Sequence, residues 1–395
     1  MTSAMGAVER GAGGALLADA QKDLPLLLRQ MEQLVRLESP SDDKARCEQA
    51  LELVAGWARE MGGVVRWYRS RTHADSLEVR WAGPRLRGTA GGARQRPVLL
   101  LGHLDTVWPV GTLARMPFRV GRERIQGPGV LDMKAGVAMA LAAMRLLLAG
   151  GAAGRPVTLL LHGDEEIGSP ASRAVTERVA PACEAVYVLE PGQGPEGALK
   201  TARKGVGHYR LEVSGVGSHS GVDFEAGHSA VLELAHQLLT IASFTEPASG
   251  LTVNPGVIGG GTLSNVVAAS AWAEIDVRIA KAADAGRIER KLRSLRVKDK
   301  ACQLEVSGGI NRPPMERTRA IGTLFAKARA VAAEMGIELH EASTGGGSDG
   351  NFTAAMGVPT LDGMGAVGGG AHAASEHVVR GELAPRVALL AGMLR

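Results

Sequence analysis

With 395 residues the chain can bury an ample core and exceeds the usual size of a single domain, so two domains are the default expectation. Its 45% hydrophobic and 22% charged residues, a formal net charge of +4, 3% aromatics and the lack of any like-charge block, phosphate loop or zinc-finger spacing argue against a nucleic-acid partner. Three scattered cysteines, Cys47, Cys183 and Cys302, an N-terminus without an apolar signal core and the absence of an 18-residue apolar run fit a soluble cytoplasmic protein with no membrane partner.

Taken in chain order, residues 24–37 have helical spacing, with Pro25 tolerated as a first-turn residue, and so do residues 44–61. The basic, glycine-rich stretch 83–96 reads as an exposed loop. "PVLLLGH" (97–103), "PVTLLLHGDEE" (156–166) and "AVYVLEPG" (185–192) read as short buried strands ending in acids or histidine. Between the first two, "DMKAGVAMALAAMRLLLAGG" reads as a helix opened by Asp132 and closed by Gly150 and Gly151. This alternation predicts an α/β domain with a mostly parallel sheet covered by helices. Near Gly205 the pattern changes to strand, helix, two strands, helix, strand, a small α+β domain. From Asn311 it returns to helix (318–335), strand (336–342), a glycine-rich loop and a C-terminal helix. The chain therefore divides into residues 1–204 and 311–395 as one domain and 205–310 as an insertion.

The carboxyl ends of strands form the functional edge of such a sheet, and there the chain concentrates His103 and Asp105, Asp132, Glu165 and Glu166, and Glu190. Positions two apart in extended chain share a face, so of His103 and Asp105 one can bind a metal while the other orients the imidazole. Glu165 and Glu166 point oppositely in extended chain and divide naturally into a ligand and a general base. His372 follows a flexible run, "GMGAVGGGAHAASEH". Singly, each has a plain alternative: HxD is a common turn feature, adjacent glutamates a solvated helix start, Asp132 an N-cap, Glu190 a loop acid, His372 a hydrogen-bonded loop histidine. Their joint placement at successive strand ends has none, and so many carboxylates on one edge repel one another unless cations lie between them. A pair of divalent ions meets that need.

These residues lie in "GHLDTVWPVG", "GPGVLDMKAG", "HGDEEIGS" and "LEPG", followed by "SGVGSHSG", "TLSNVVAASAWAEIDVR", "TGGGSDG" and "GAHAASEHV". In this order, from about Leu24 to the C-terminus, the series resembles the dinuclear zinc aminoacylase/carboxypeptidase family, most nearly its bacterial glutamate carboxypeptidases. The resemblance implies two Zn2+ per chain, with Co2+ or Mn2+ as substitutes. It makes Asp132 the bridging ligand, places His103 and Glu190 on one ion and Glu166 and His372 on the other, and assigns Glu165 as general base and Asp105 as support for His103. It further implies that the insertion is a lid and dimerisation domain of a homodimer, with His219 reaching the partner subunit's active site. Asn265, Arg278 and the Gly345, Gly346, Gly347 loop would hold a small peptide or N-acyl amino acid by its carboxylate. Met133 and His377 depart from the family pattern, which often has an acid and a tyrosine there.

Two readings from other classes compete. "GGSDG" satisfies GxSxG, and Ser348, Asp362 and His372 follow the chain order of a serine hydrolase triad. That reading leaves His103 and the other acids unexplained. A non-catalytic dimeric binding protein on the same fold has no use for Glu165.

Overall fold

The computed structural model describes residues 12–83, 95–150 and 154–395; most of the loop expected at 83–96, the N-terminal stretch and Gly151 lie outside these. The chain divides into two compact units, one of residues 1–201, 317–343 and 348–395, the other of residues 202–316 and 344–347. Among the described residues no helix is long and apolar enough to cross a membrane.

The first unit opens with a helix over Ala12–Arg36, whose buried stripe of Leu16, Ala20, Leu27, Met31 and Leu34 faces the core. It starts well before residue 24, so Pro25 sits inside it rather than in its first turn. Proline removes one backbone bond, and the apolar stripe continuing on both sides of it offsets that loss. A second helix, Lys44–Glu60, is capped by Asp43, whose side chain accepts the Arg46 N–H.

Six strands form the central sheet, in the spatial order Val64–Tyr68, Ser76–Trp81, Val157–His162, Val98–His103, Ala185–Val188 and Thr360–Leu361. The last four run parallel to one another, Ser76–Trp81 runs antiparallel to them, and the outermost strand Val64–Tyr68 pairs antiparallel with Ser76–Trp81. "VLLLGH" and "VTLLLH" are buried at every position, as strands covered on both faces must be. Their register sets His103 level with His162, so both strands end together.

Three local expectations are corrected. The helix after Asp132 begins only at Ala135, because Asp132 (φ −117°, ψ 96°) and Met133 (φ −131°, ψ 36°) are not helical; the N–H of Asp132 is drawn instead to the carboxylate of Glu376. Glu165 and Glu166 do not extend the strand but lie on one 3-10 turn, Glu165–Ile167. The strand expected at 336–342 forms at Glu341–Thr344. The preceding helix, Arg319–Ala333, ends through a left-handed Gly336 (φ 71°), and the Ile337 N–H still bonds the Ala332 carbonyl at 3.0 Å.

The second unit is an antiparallel sheet in the order Thr252–Gly260, Ser270–Ile279, Gly205–Ser214 and Gln303–Arg312. One face alternates inward with Tyr209, Leu211, Val213, Ala273, Ile275 and Val277. Helices Ala230–Ala242 and Ala282–Arg293 cover that face with Leu234, Ile241, Ile288 and Leu292.

Candidate metal centre

Strand ends, a non-helical loop, a 3-10 turn and a glycine-rich loop of the first unit bring five residues together. His103, Asp132 and Glu190 form one group of candidate ligands and Asp132, Glu166 and His372 another, the ligand atoms within each lying within 4.8 Å of one another. Asp132 belongs to both. Its Oδ1 lies 3.4 Å from His103 Nε2 and its Oδ2 3.4 Å from His372 Nε2. Glu190 Oε1 is 3.5 Å from His103 Nε2, and Glu166 Oε1 is 3.1 Å from His372 Nε2. Both His103 Nε2 and Asp132 Oδ1 are buried without a hydrogen bond. Two orphaned polar atoms aimed at one point are costly in a protein interior unless a cation lies between them. The mixed imidazole and carboxylate donors suit Zn2+ and other first-row divalent ions, so the residues present fit a metal pair.

Electrostatics agree. Without a metal ion, Asp132 and Glu166 raise His372 to about 10. Burial disfavours a proton on His103, yet Asp105, Asp132 and Glu190 outweigh it and hold that ring well above the ordinary histidine range. Burial likewise opposes charge on Asp132, and His103 and His372 reverse the effect, holding its carboxyl far below the usual range. The field that favours protons on these rings is the field that favours a metal ion in their place.

Asp105, fully buried, does more than face His103. The His103 Nδ1 lies 3.0 Å from the Asp105 carbonyl oxygen and 3.4 Å from Oδ1. A proton on Nδ1 leaves the Nε2 lone pair directed at the centre. The same carboxylate accepts the Ser41 hydroxyl at 2.7 Å and the N–H groups of Glu165 at 3.2 Å and Glu166 at 3.0 Å. It thereby anchors the turn that carries both glutamates. Glu165 Oε2 lies 3.9 Å from His103 Nε2 while Glu166 faces His372, so adjacent residues serve different sides. Met133, where the family pattern often has an acid, is buried, its sulfur accepting the His103 N–H at 3.4 Å.

The second unit presents the other expected residues. His219 and Asn265 are exposed, and a bridge between His219 and Val266 puts them side by side. His219 Nδ1 accepts the Gly221 N–H at 3.1 Å, so the neutral ring carries its proton on Nε2. Arg278 is not a lone guanidinium: Nε donates to Asp276 Oδ1 at 2.9 Å and Nη2 to Oδ2 at 2.8 Å. The Gly345–Gly347 loop turns carbonyls to arginines, Arg278 reaching Gly345 O at 3.4 Å and Arg203 reaching Gly346 O at 3.1 Å and Gly347 O at 2.9 Å. Asp276 stands two residues before Arg278 on the alternating strand, so "EIDVR" already places both on one face, whereas no local pattern marks Arg203.

Ser348 is corrected. Its side chain is buried, its hydroxyl donates to Asp362 Oδ2 at 2.6 Å and accepts the Gly350 N–H at 3.1 Å. His372 faces Asp132 and Glu166 instead. The serine, aspartate and histidine do not form a relay.

Residues 99–395 match the profile of Peptidase family M20/M25/M40. Carboxypeptidase G2 of Pseudomonas sp. (strain RS-16) is 28% identical over 383 residues, covering 96% of this chain and 91% of its own. Succinyl-diaminopimelate desuccinylase of Delftia acidovorans is 29% identical over 381 residues, 91% of this chain and 94% of its own. Among solved structures, aminopeptidase PepT of Bacillus cereus shares the fold with a TM-score of 0.77 at 19% identity, over 94% of this chain and 98% of that one.

Proposed function

The chain belongs to peptidase family M20/M25/M40, and we propose that it uses two divalent ions, Zn2+ by preference, to hydrolyse an amide bond beside an amino acid with a free carboxylate. The observation that carries this reading is Asp132, whose two oxygens face different histidines, each with a further acid beside it. His103, Asp132 and Glu190 hold one ion, and Asp132, Glu166 and His372 the other. The ions supply Lewis acidity, bringing the pKa of water towards about 7 and polarising the scissile carbonyl. Asp105 keeps the His103 ring turned with Nε2 inward. Glu165 takes the proton of the attacking water and delivers it to the leaving amine. His219 donates from Nε2 to the oxygen that gains negative charge.

Arg278, with Asn265 and the Gly345–Gly347 loop, holds the carboxylate of the leaving amino acid, and Asp276 keeps the guanidinium in place. The relatives, a carboxypeptidase and a desuccinylase, support C-terminal release from short peptides, with glutamate the first candidate, and as a second reading deacylation of N-acyl amino acids. The reading includes a homodimer. Leu232, Leu239 and Ile258 are 64%, 76% and 61% exposed, and the strand bearing Ile258 is an edge of its sheet. It also includes a cytoplasmic setting, supported by three unpaired cysteines.

Chelation is expected to abolish turnover and Zn2+ to restore it, while Glu165→Ala loses turnover but retains about two ions per chain by elemental analysis. A free-acid substrate should be cleaved at least tenfold faster in kcat/KM than its C-terminal amide. Full activity in chelator-treated, metal-free protein overturns the metal chemistry; equal cleavage of acid and amide overturns the carboxylate specificity alone.

A further inference from the structure

Outside the candidate ligands, one carboxylate in the first unit collects N–H groups from two separate segments. Glu376 Oε2 accepts the Trp108 indole N–H at 2.8 Å and the Gly129 N–H at 3.0 Å. Its Oε1 accepts the N–H groups of Leu131 at 2.8 Å and Asp132 at 3.2 Å. The side chain is 1% exposed, and among the described residues it forms no ion pair. A buried carboxylate met only by N–H donors is oriented by all of them, and it orients them in return.

The segments it joins are those that carry the candidate ligands. Residues 129–132 precede the helix Ala135–Ala149 and lack helical bonds of their own at Asp132. Capture of three of their N–H groups sets the backbone from which Asp132 directs Oδ1 to one histidine and Oδ2 to the other. Glu376 itself lies four residues after His372, in the loop where His372 adopts φ 61°. Trp108 belongs to the segment that follows Asp105. One side chain therefore ties the His372 loop to the Asp132 loop and to the chain leaving Asp105.

We propose that Glu376 is a positioning residue that keeps the Asp132 carboxylate and His372 in register for the metal pair. This rests on the metal reading above. It differs from a purely structural role in what it predicts for metal affinity as opposed to global stability.

Glu376→Gln keeps the shape but turns an NH2 group toward two of the four donors. Zn2+ affinity is measured by competition with a chromophoric chelator for the wild type, Glu376→Gln and a control, Glu78→Gln, whose carboxylate is equally buried and bonded to Tyr68 and Arg80. Glu376→Gln is expected to bind at least one ion about 10- to 100-fold more weakly. Glu78→Gln should stay within about twofold of wild type even where both variants lose similar Tm. A folded Glu376→Gln with wild-type affinity overturns the inference and leaves the metal reading standing. A wild type that binds no ion overturns both. Should Glu376→Gln fail to fold, amide exchange in metal-free wild type decides: protection of the Leu131 and Asp132 amides by about 100-fold or more supports the clamp, and free exchange there overturns it.

Discussion

His103 and His162 end neighbouring parallel strands at the same register position, yet their surroundings drive them in opposite directions. Acids raise His103, whereas His162 is buried with Nδ1 2.9 Å from the Ser76 hydroxyl and Nε2 2.8 Å from that of Thr176, and desolvation lowers it below the ordinary 6.5. For His162 the folded pKa is the lower one, so as pH falls through 6.5 the unfolded chain takes up a proton that the folded chain refuses. Stability is therefore lost below that pH, levelling off once the folded ring is also protonated. Urea unfolding of metal-free wild type and His162→Gln at pH 7.5 and 5.5 should show the larger loss in wild type, because His103 and His372, with the opposite sign, are common to both. Equal losses would remove His162 from the account.

At the scale of elements, the distance between the Asp132 loop and the Glu190 strand end is set by one close contact. A Cβ on Gly136 would lie 2.1 Å from the Leu189 carbonyl oxygen, so the first turn of the helix Ala135–Ala149 packs directly on the chain leading to Glu190. Gly136→Ala must push helix and strand end apart. Overpacking of this kind costs about 1–3 kcal/mol, and urea unfolding should show a lower midpoint with an unchanged slope. A midpoint equal to wild type would mean that the two elements yield without cost.

At the scale of the whole molecule, the proposal is a homodimer with composite active sites, in which His219 of one subunit serves the metal centre of the other. His219→Ala and Glu165→Ala should each be inactive, yet after subunit exchange their mixture should regain part of the activity, since a hybrid dimer contains one intact site. Recovery is read by the rate of amide cleavage, and exchange by native mass spectrometry of labelled subunits. Exchange without recovery would assign His219 to its own chain.

Much of the architecture was legible in the amino-acid order, because period and burial are local properties. "VLLLGH" and "VTLLLH" announce covered strands by leucine and valine runs that no charged acid, lysine or arginine interrupts, and the alternation in "EIDVRI" announces a half-buried one. The same order shows which strand ends carry histidine and acid, and hence where a cation is needed. It does not show that Pro25 sits mid-helix, since only the buried stripe on both sides of it keeps that helix whole. Nor does it show that Ser348 is sealed against Asp362, or that Asp132 lies outside the helix that follows it. The partner that draws off the Asp132 N–H, Glu376, stands 244 residues away. Local spacing carries no information about which distant carboxylate will accept a given N–H; that is decided when the sheet and its loops close and every buried donor must find an acceptor.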